Sequence, residues 1–128
     1  MAKEKWKRLK EEKEYLISSW GRIFSTKTER IMKPNLHQSR SNKYLRIELN
    51  KSKYMVHVLV ASNFKAKQYL NLITLYPRCV IEVDHDDRNT LNPAASNVNW
   101  KTSSENKVHR HRTDIITFGG KTYKGKSE

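Results

Sequence analysis

The chain has 128 residues, with 26 Lys and Arg against 13 Asp and Glu, for a formal net charge of +13 at neutral pH. That length holds one compact domain, or a core with a small appended module, and buries about two thirds of the extended surface. No apolar run approaches the roughly 20 residues that span a bilayer, and the first segment lacks a signal peptide's apolar stretch. These features predict a soluble, intracellular, cytoplasmic protein with no membrane partner. The lone cysteine, Cys79, leaves no partner for a disulfide or a zinc knuckle and reads as a small apolar residue opening a strand. Basic residues run from Lys3 to Lys126, so a broad positive surface is expected, and nucleic acid is the default partner.

Residues 3–14 mix Lys, Arg and Glu so densely that only Trp6 and Leu9 mark a face, which predicts a solvated helix or loose basic arm over 1–14. Tyr15-Leu16-Ile17 and Arg22-Ile23-Phe24, broken by Gly21, read as a first hairpin. A polar loop is expected over 33–43. Tyr44 to Leu49 then alternates with period two, turning Leu45, Ile47 and Leu49 inward and Arg46 and Glu48 outward. A turn over Asn50–Lys53 leads to Val56, Leu59, Val60 and Phe64, whose spacing predicts a helix over 56–64.

Residues 65–78 form a connector, with a helix predicted over 68–76 from Leu72, Ile73 and Tyr76 and ended by Pro77. Cys79 to Val83 is a β-rich run that delivers Asp84-His85 at a strand end. The Asn- and Asp-rich stretch 86–96 is a loop, and Val98 and Trp100 mark a brief returning strand. Thr102 and Glu105 have capping-box spacing, which starts a helix expected to run to about Arg112. Residues 113–128, with Gly119-Gly120 and Gly125, read as a flexible basic tail.

Phosphodiester hydrolysis needs a nucleophilic water, a proton acceptor and positive charge at the leaving oxygen. His85 is the natural base, because a neutral imidazole is available near pH 7 whereas Lys and Arg are protonated there. Asp84, its neighbour on a regular strand, projects to the opposite side and is placed to serve a metal. Asn106, one turn into the predicted helix, offers a second oxygen across the hairpin. Two hard oxygen ligands with open positions suit Mg²⁺, or Mn²⁺ as a second choice, over a closed zinc site. Arg110 follows Asn106 by four residues on the same helix face, within reach of a phosphate. Arg88, Lys101, Lys107 and Arg112 are phosphate-contact candidates, with Lys43 and Arg46 beside or on the best strand. His57 has no Asp or Cys near it in sequence and reads as a helix-start or core-edge residue.

The order Asp84-His85, Asp87, Asn89, Asn92, Asn97, Trp100 and Asn106 resembles the HNH endonucleases, of the His-Me finger type. Upstream, Tyr15-Leu16-Ile17-Ser18, Gly21 to Ser25, the Tyr44 strand and Val56 to Ala61 resemble the small DNA-binding module that precedes HNH in phage and intron homing endonucleases. The resemblance implies an α+β protein in which a β-rich N-terminal module over 15–64 feeds a β-β-α-metal nuclease motif over 79–112. It assigns His85 as general base, Asp84 and Asn106 as metal ligands, Asn97 as the brace that helps orient His85, and Trp100 as an anchor of the returning strand. The sequence departs from the pattern at Arg88, where Gly often stands, and at Asn106, where many HNH enzymes carry His.

The function expected is a metal-dependent endonuclease acting on double-stranded DNA as a monomer or transient dimer, of the nicking or homing type. The rival is a non-catalytic basic DNA-binding protein that retains the HNH scaffold.

Overall fold

The structure, a computed structural model, describes residues 3–40 and 42–104. Three small antiparallel sheets surround one helix. The first sheet is a meander of β1 (Trp6–Arg8), β2 (Tyr15–Ser18), β3 (Ile23–Ser25) and β4 (Arg30–Met32). The second joins β5 (Asn35–Ser39), β6 (Asn42–Leu49) and β7 (Ser52–Met55). Helices α1 (Val56–Phe64) and α2 (Ala66–Leu75) follow, and β8 (Ile81–His85) pairs with β9 (Val98–Thr102) as the third sheet.

Helix α1 runs over the residues its spacing predicts, and it is the hub of the fold. Val56, Leu59, Val60 and Ala61 are buried in one core with Leu9, Tyr15, Ile17 and Ile23 of the first sheet region, Ile47 and Leu49 of β6, and Val98 of β9. A helix covered on most sides is apolar around its circumference rather than along one stripe, as the run Val56 to Ala61 shows. Each fully buried Val or Leu contributes about 1.5–3 kcal/mol, so these short strands depend on α1 for their stability. Strand β6 keeps its period-two pattern, and the turn into β7 is tight because Asn50 and Lys51 take φ of 51° and 71°, the left-handed pair of a type I′ hairpin.

Several expectations are corrected. Trp6–Arg8 is a strand, not a helix or loose arm: it pairs with β2, and the following Leu9 is fully buried. The dense charges of the N-terminal segment meet partners distant in sequence. Glu4 accepts two bonds from the Arg22 guanidinium (2.8 and 2.6 Å), Glu12 accepts from the Tyr54 hydroxyl (2.6 Å), and Lys10 N donates to Asn63 Oδ1 (3.0 Å). The supposed loop 33–43 contains β5, whose polar residues pair with β6 from Asn35↔Arg46 to Ser39↔Asn42. Cys79 does not open a strand. It is exposed in the turn after α2, where its N–H bonds to Tyr76 O (3.0 Å), and β8 begins two residues later.

The N-terminal sheet also supports the loop between β8 and β9. Gly21 sits at φ +92°, and a Cβ there would lie 2.5 Å from Pro93 Cγ, so the β2–β3 turn docks directly on that loop. Ala95 N donates to Ser19 O (2.7 Å) at the same junction. Of the helix expected from Thr102 to Arg112, Thr102 is instead the last residue of β9, Ser103 and Ser104 are helical, and the rest lies outside the described residues, as does the tail.

Candidate nuclease site

The β8–β9 hairpin is short, and its register places Asp84 opposite Asn99 and His85 opposite Val98. Val98 is fully buried, which pins the end of β8 against the core and carries Asp84 and His85 inward; they are only 3% and 4% exposed. Helix α2 locks the outer strand. Lys65 Nζ donates to Val98 O (3.1 Å) and Asn99 Oδ1 (3.0 Å), and Trp100 N donates to Gln68 Oε1 (2.6 Å). The Trp100 indole N–H reaches Ala61 O (3.2 Å) and its ring lies 4.7 Å from Tyr69, so Trp100 ties β9 to both helices.

Asp84 and His85 turn to different partners but open onto one cavity of about 650 Å³, whose walls also include Tyr44, His57, Arg88 and Trp100. Asp84 Oδ1 accepts from Arg88 Nη1 (2.8 Å) and Oδ2 from Lys101 Nζ (3.1 Å). Burying a carboxylate is costly unless cations face it, and here two do. Arg88 supplies its charge from a strained backbone, with φ of +63°, and its N–H closes a turn onto His85 O (3.0 Å). A non-glycine residue there costs about 1 kcal/mol or more, which gives a physical reason for the Gly of the HNH pattern.

His85 packs on a second imidazole. The His57 ring lies 4.7 Å from it, centroid to centroid and tilted by 47°, while Tyr44 stacks on His57 at 5.3 Å and lies 6.2 Å from His85, so the three rings form a triangular cluster. Burial pushes the His85 pKa down; Asp84 and Asp87 pull it back up, and Arg88 lowers it. Burial, reinforced by repulsion from His85, lowers His57 to about 4. Both imidazoles are therefore neutral near pH 7, and His85 has a lone pair with which to take a proton.

Asn97 organises the loop that follows His85. Its Nδ2 donates to Asp87 Oδ1 (2.9 Å) and Asn92 O (2.9 Å), and its Oδ1 accepts from Asp87 N (3.0 Å). Asp86 N completes the clasp by donating to Asn97 O (2.7 Å). The Asp87 carboxyl is held below the usual range chiefly by the Asn89 N–H, with help from the Asn92 and Asn97 amides. The Asn-rich stretch is thus a set of closing bonds for the twelve-residue excursion 86–97, and the Asn97 amide bonds within that loop rather than to the imidazole of His85.

Residues 4–50 match the NUMOD4 motif. The chain is 32% identical over 124 residues to the H-N-H endonuclease F-TflII of Escherichia phage T5, across 94% of this chain and 59% of that protein. Its fold matches a structure described as DNA binding and cleavage by the HNH homing endonuclease I-HmuI, with a TM-score of 0.65 and 25% identity over 91% of this chain and 63% of that one. The chain is thus similar in sequence to an HNH endonuclease and in fold to an HNH homing endonuclease. It spans about three fifths of the length of each of these two proteins.

Within this HNH-related chain, the structure brings together Asp84, His85, Arg88 and Lys101. Lys43 has an exposed side chain, and its carbonyl accepts the Thr90 hydroxyl, which ties β6 to the loop after His85. Arg46 is half-buried mid-strand, away from the cavity walls. Asn106, Lys107, Arg110 and Arg112 lie outside the described residues. Sequence reasoning passed over Tyr44 and His57 as site residues. Their signal was weak, because 28 to 41 positions separate them from His85 and only the packing of β6 and α1 against β8 makes them neighbours.

Among the described residues no group of three or more His, Cys, Asp or Glu side chains is placed to hold a metal ion. Asp84 nevertheless fits a divalent cation. Both of its oxygens face cationic groups, which mark the spot as one where positive charge is favoured.

Proposed function

We propose that this chain is an HNH-type DNA endonuclease that hydrolyses phosphodiester bonds with a divalent cation, Mg²⁺ or Mn²⁺, and acts on double-stranded DNA. The observation that carries this reading is a buried, neutral His85 beside a buried carboxylate in a cavity lined in part by Arg88, with Lys101 paired to that carboxylate. His85 accepts the proton of the attacking water. Asp84, with Asn106, would hold the cation, which when bound supplies charge to stabilise the leaving oxygen. Arg88 and Lys101 neutralise Asp84 in its absence and are placed to turn to DNA phosphates, where a guanidinium and an ammonium bind strongly. Asn97 keeps the loop, and with it the end of β8, in one geometry. Arg110, Lys107, Arg112, Lys43 and Arg46 are further candidate contacts to the DNA, helped by the net charge of +13. One such site per chain nicks one strand per binding event.

Supercoiled plasmid incubated with Mg²⁺ or Mn²⁺ is expected to be nicked by the wild type, and not in EDTA. His85→Ala and Asp84→Ala should each lose at least about a hundredfold in rate, the scale of a lost general base or charge-stabilising group. Nicking that persists equally in both variants, or is absent from the wild type under every metal, rejects the reading. The ion pairs that occupy both Asp84 oxygens also suit a DNA-binding scaffold without catalysis. That alternative predicts DNA retention with no nicking.

A further inference from the structure

Among the described residues, two buried side-chain nitrogens have no hydrogen-bond partner, Nδ1 of His57 and Nε2 of His85. They belong to adjacent rings, 4.7 Å apart between centroids. Buried polar atoms are seldom left without partners, and two in contacting side chains call for one explanation. His57 is the second residue of α1, 91% buried and stacked on Tyr44, and a phenylalanine would fill the same volume without an orphaned nitrogen.

The chemistry of the pair is complementary. A neutral imidazole carries one N–H donor and one lone-pair acceptor. Nε2 of His85 is shut off from solvent, so it cannot be the nitrogen that meets a water in the cavity. The base nitrogen is then Nδ1, which requires the proton to reside on Nε2. That N–H needs an acceptor, and Nδ1 of His57 is the buried lone pair beside it. A centroid separation of 4.7 Å is short enough for a turn of the His57 imidazole to bring its Nδ1 into hydrogen-bond range of His85 Nε2.

We propose that His57 is a positioning residue for His85: its Nδ1 accepts a hydrogen bond from His85 Nε2–H, holding His85 in the tautomer that leaves Nδ1 free to take the proton of water. When Nδ1 has taken that proton, the same bond supports the imidazolium, with no proton passing to His57. Tyr44 backs the His57 ring and limits its rotation. This inference rests on His85 being the base, and its test separates the two.

The experiment combines ¹⁵N imidazole NMR of the full chain with nicking kinetics for wild type, His57→Phe and His57→Asn. The asparagine keeps an acceptor near the Nδ1 position, and the phenylalanine keeps only the ring. In the wild type near pH 7, His85 should show the Nε2–H tautomer. His57→Phe should shift it toward a mixture and lower kcat at least tenfold with KM unchanged, while His57→Asn should restore both to within a few fold. A wild-type His85 in the Nδ1–H tautomer, or a His57→Phe variant with kcat within twofold of wild type, overturns the proposal. If His57→Phe does not fold, the wild-type tautomer and its retention in His57→Asn decide the question. A wild type that never nicks DNA but holds His85 as Nε2–H would sink the catalytic reading and leave the imidazole pair standing.

Discussion

Replacing Asn97 by Ala removes the side chain that closes the loop between β8 and β9. Three hydrogen bonds disappear: two donated by Nδ2, to Asp87 Oδ1 and Asn92 O, and one accepted by Oδ1 from Asp87 N. Asn97 is 7% exposed, so water replaces these bonds poorly. At about 0.5–1.5 kcal/mol for each net bond, with partial rehydration of the loop's outer partners, Asn97→Ala should lose about 2–3 kcal/mol. Urea unfolding monitored by tryptophan fluorescence measures this directly, as a lower midpoint at unchanged slope. Asn97→Asp should be at least as damaging, because it sets a carboxylate oxygen against Asp87 Oδ1 where an N–H donor stood. Nicking should fall in both variants under conditions where they remain folded, since the loop holds the end of β8. A stability change under about 0.5 kcal/mol in Asn97→Ala, or an Asn97→Asp variant as stable as wild type, would refute the closing role of this side chain.

Arg88→Gly sets two effects against each other: it relieves the φ of +63°, worth about 1 kcal/mol, and it removes one of the two cations on Asp84. Titration with Mn²⁺ by calorimetry, without DNA, should show severalfold tighter binding than wild type, and unchanged or weaker binding counts against competition between Arg88 and a metal. The buried His57 gives stability a pH dependence. Its pKa falls from 6.5 to about 4 on folding, so below pH 6.5 the unfolded chain takes up a proton that the native state refuses. Stability is fully retained above pH 6.5 and lost as pH falls through about 4, by up to about 3 kcal/mol from this group. His57→Phe should flatten that part of the curve, and an identical pH profile in the variant would contradict it.

Much of the fold is legible locally. Strand β6 and helix α1 follow from the apolar periodicity of Leu45 to Leu49 and Val56 to Phe64, because each pattern is decided by neighbours two to four positions away. The order Asp84-His85 to Trp100 likewise identifies the site hairpin, since short-range strand and turn signals frame it. Strands β1 and β5 were illegible because their residues are charged or polar. What makes them strands is pairing with β2 and β6, and the acids that read as a solvated face are bonded to Arg22, Asn50 and Tyr54.

The sequence by itself determined the basic character, the central helix and the chemical identities at the hairpin, all of which are properties of residue type and near spacing. Tertiary structure alone decided that Tyr44 and His57 stand beside His85, and that Arg88 and Lys101 close on Asp84. The reason is physical: a buried imidazole takes its proton affinity and its tautomer from whatever packs around it. Those neighbours come from β6 and α1, which reach β8 only once the core has formed.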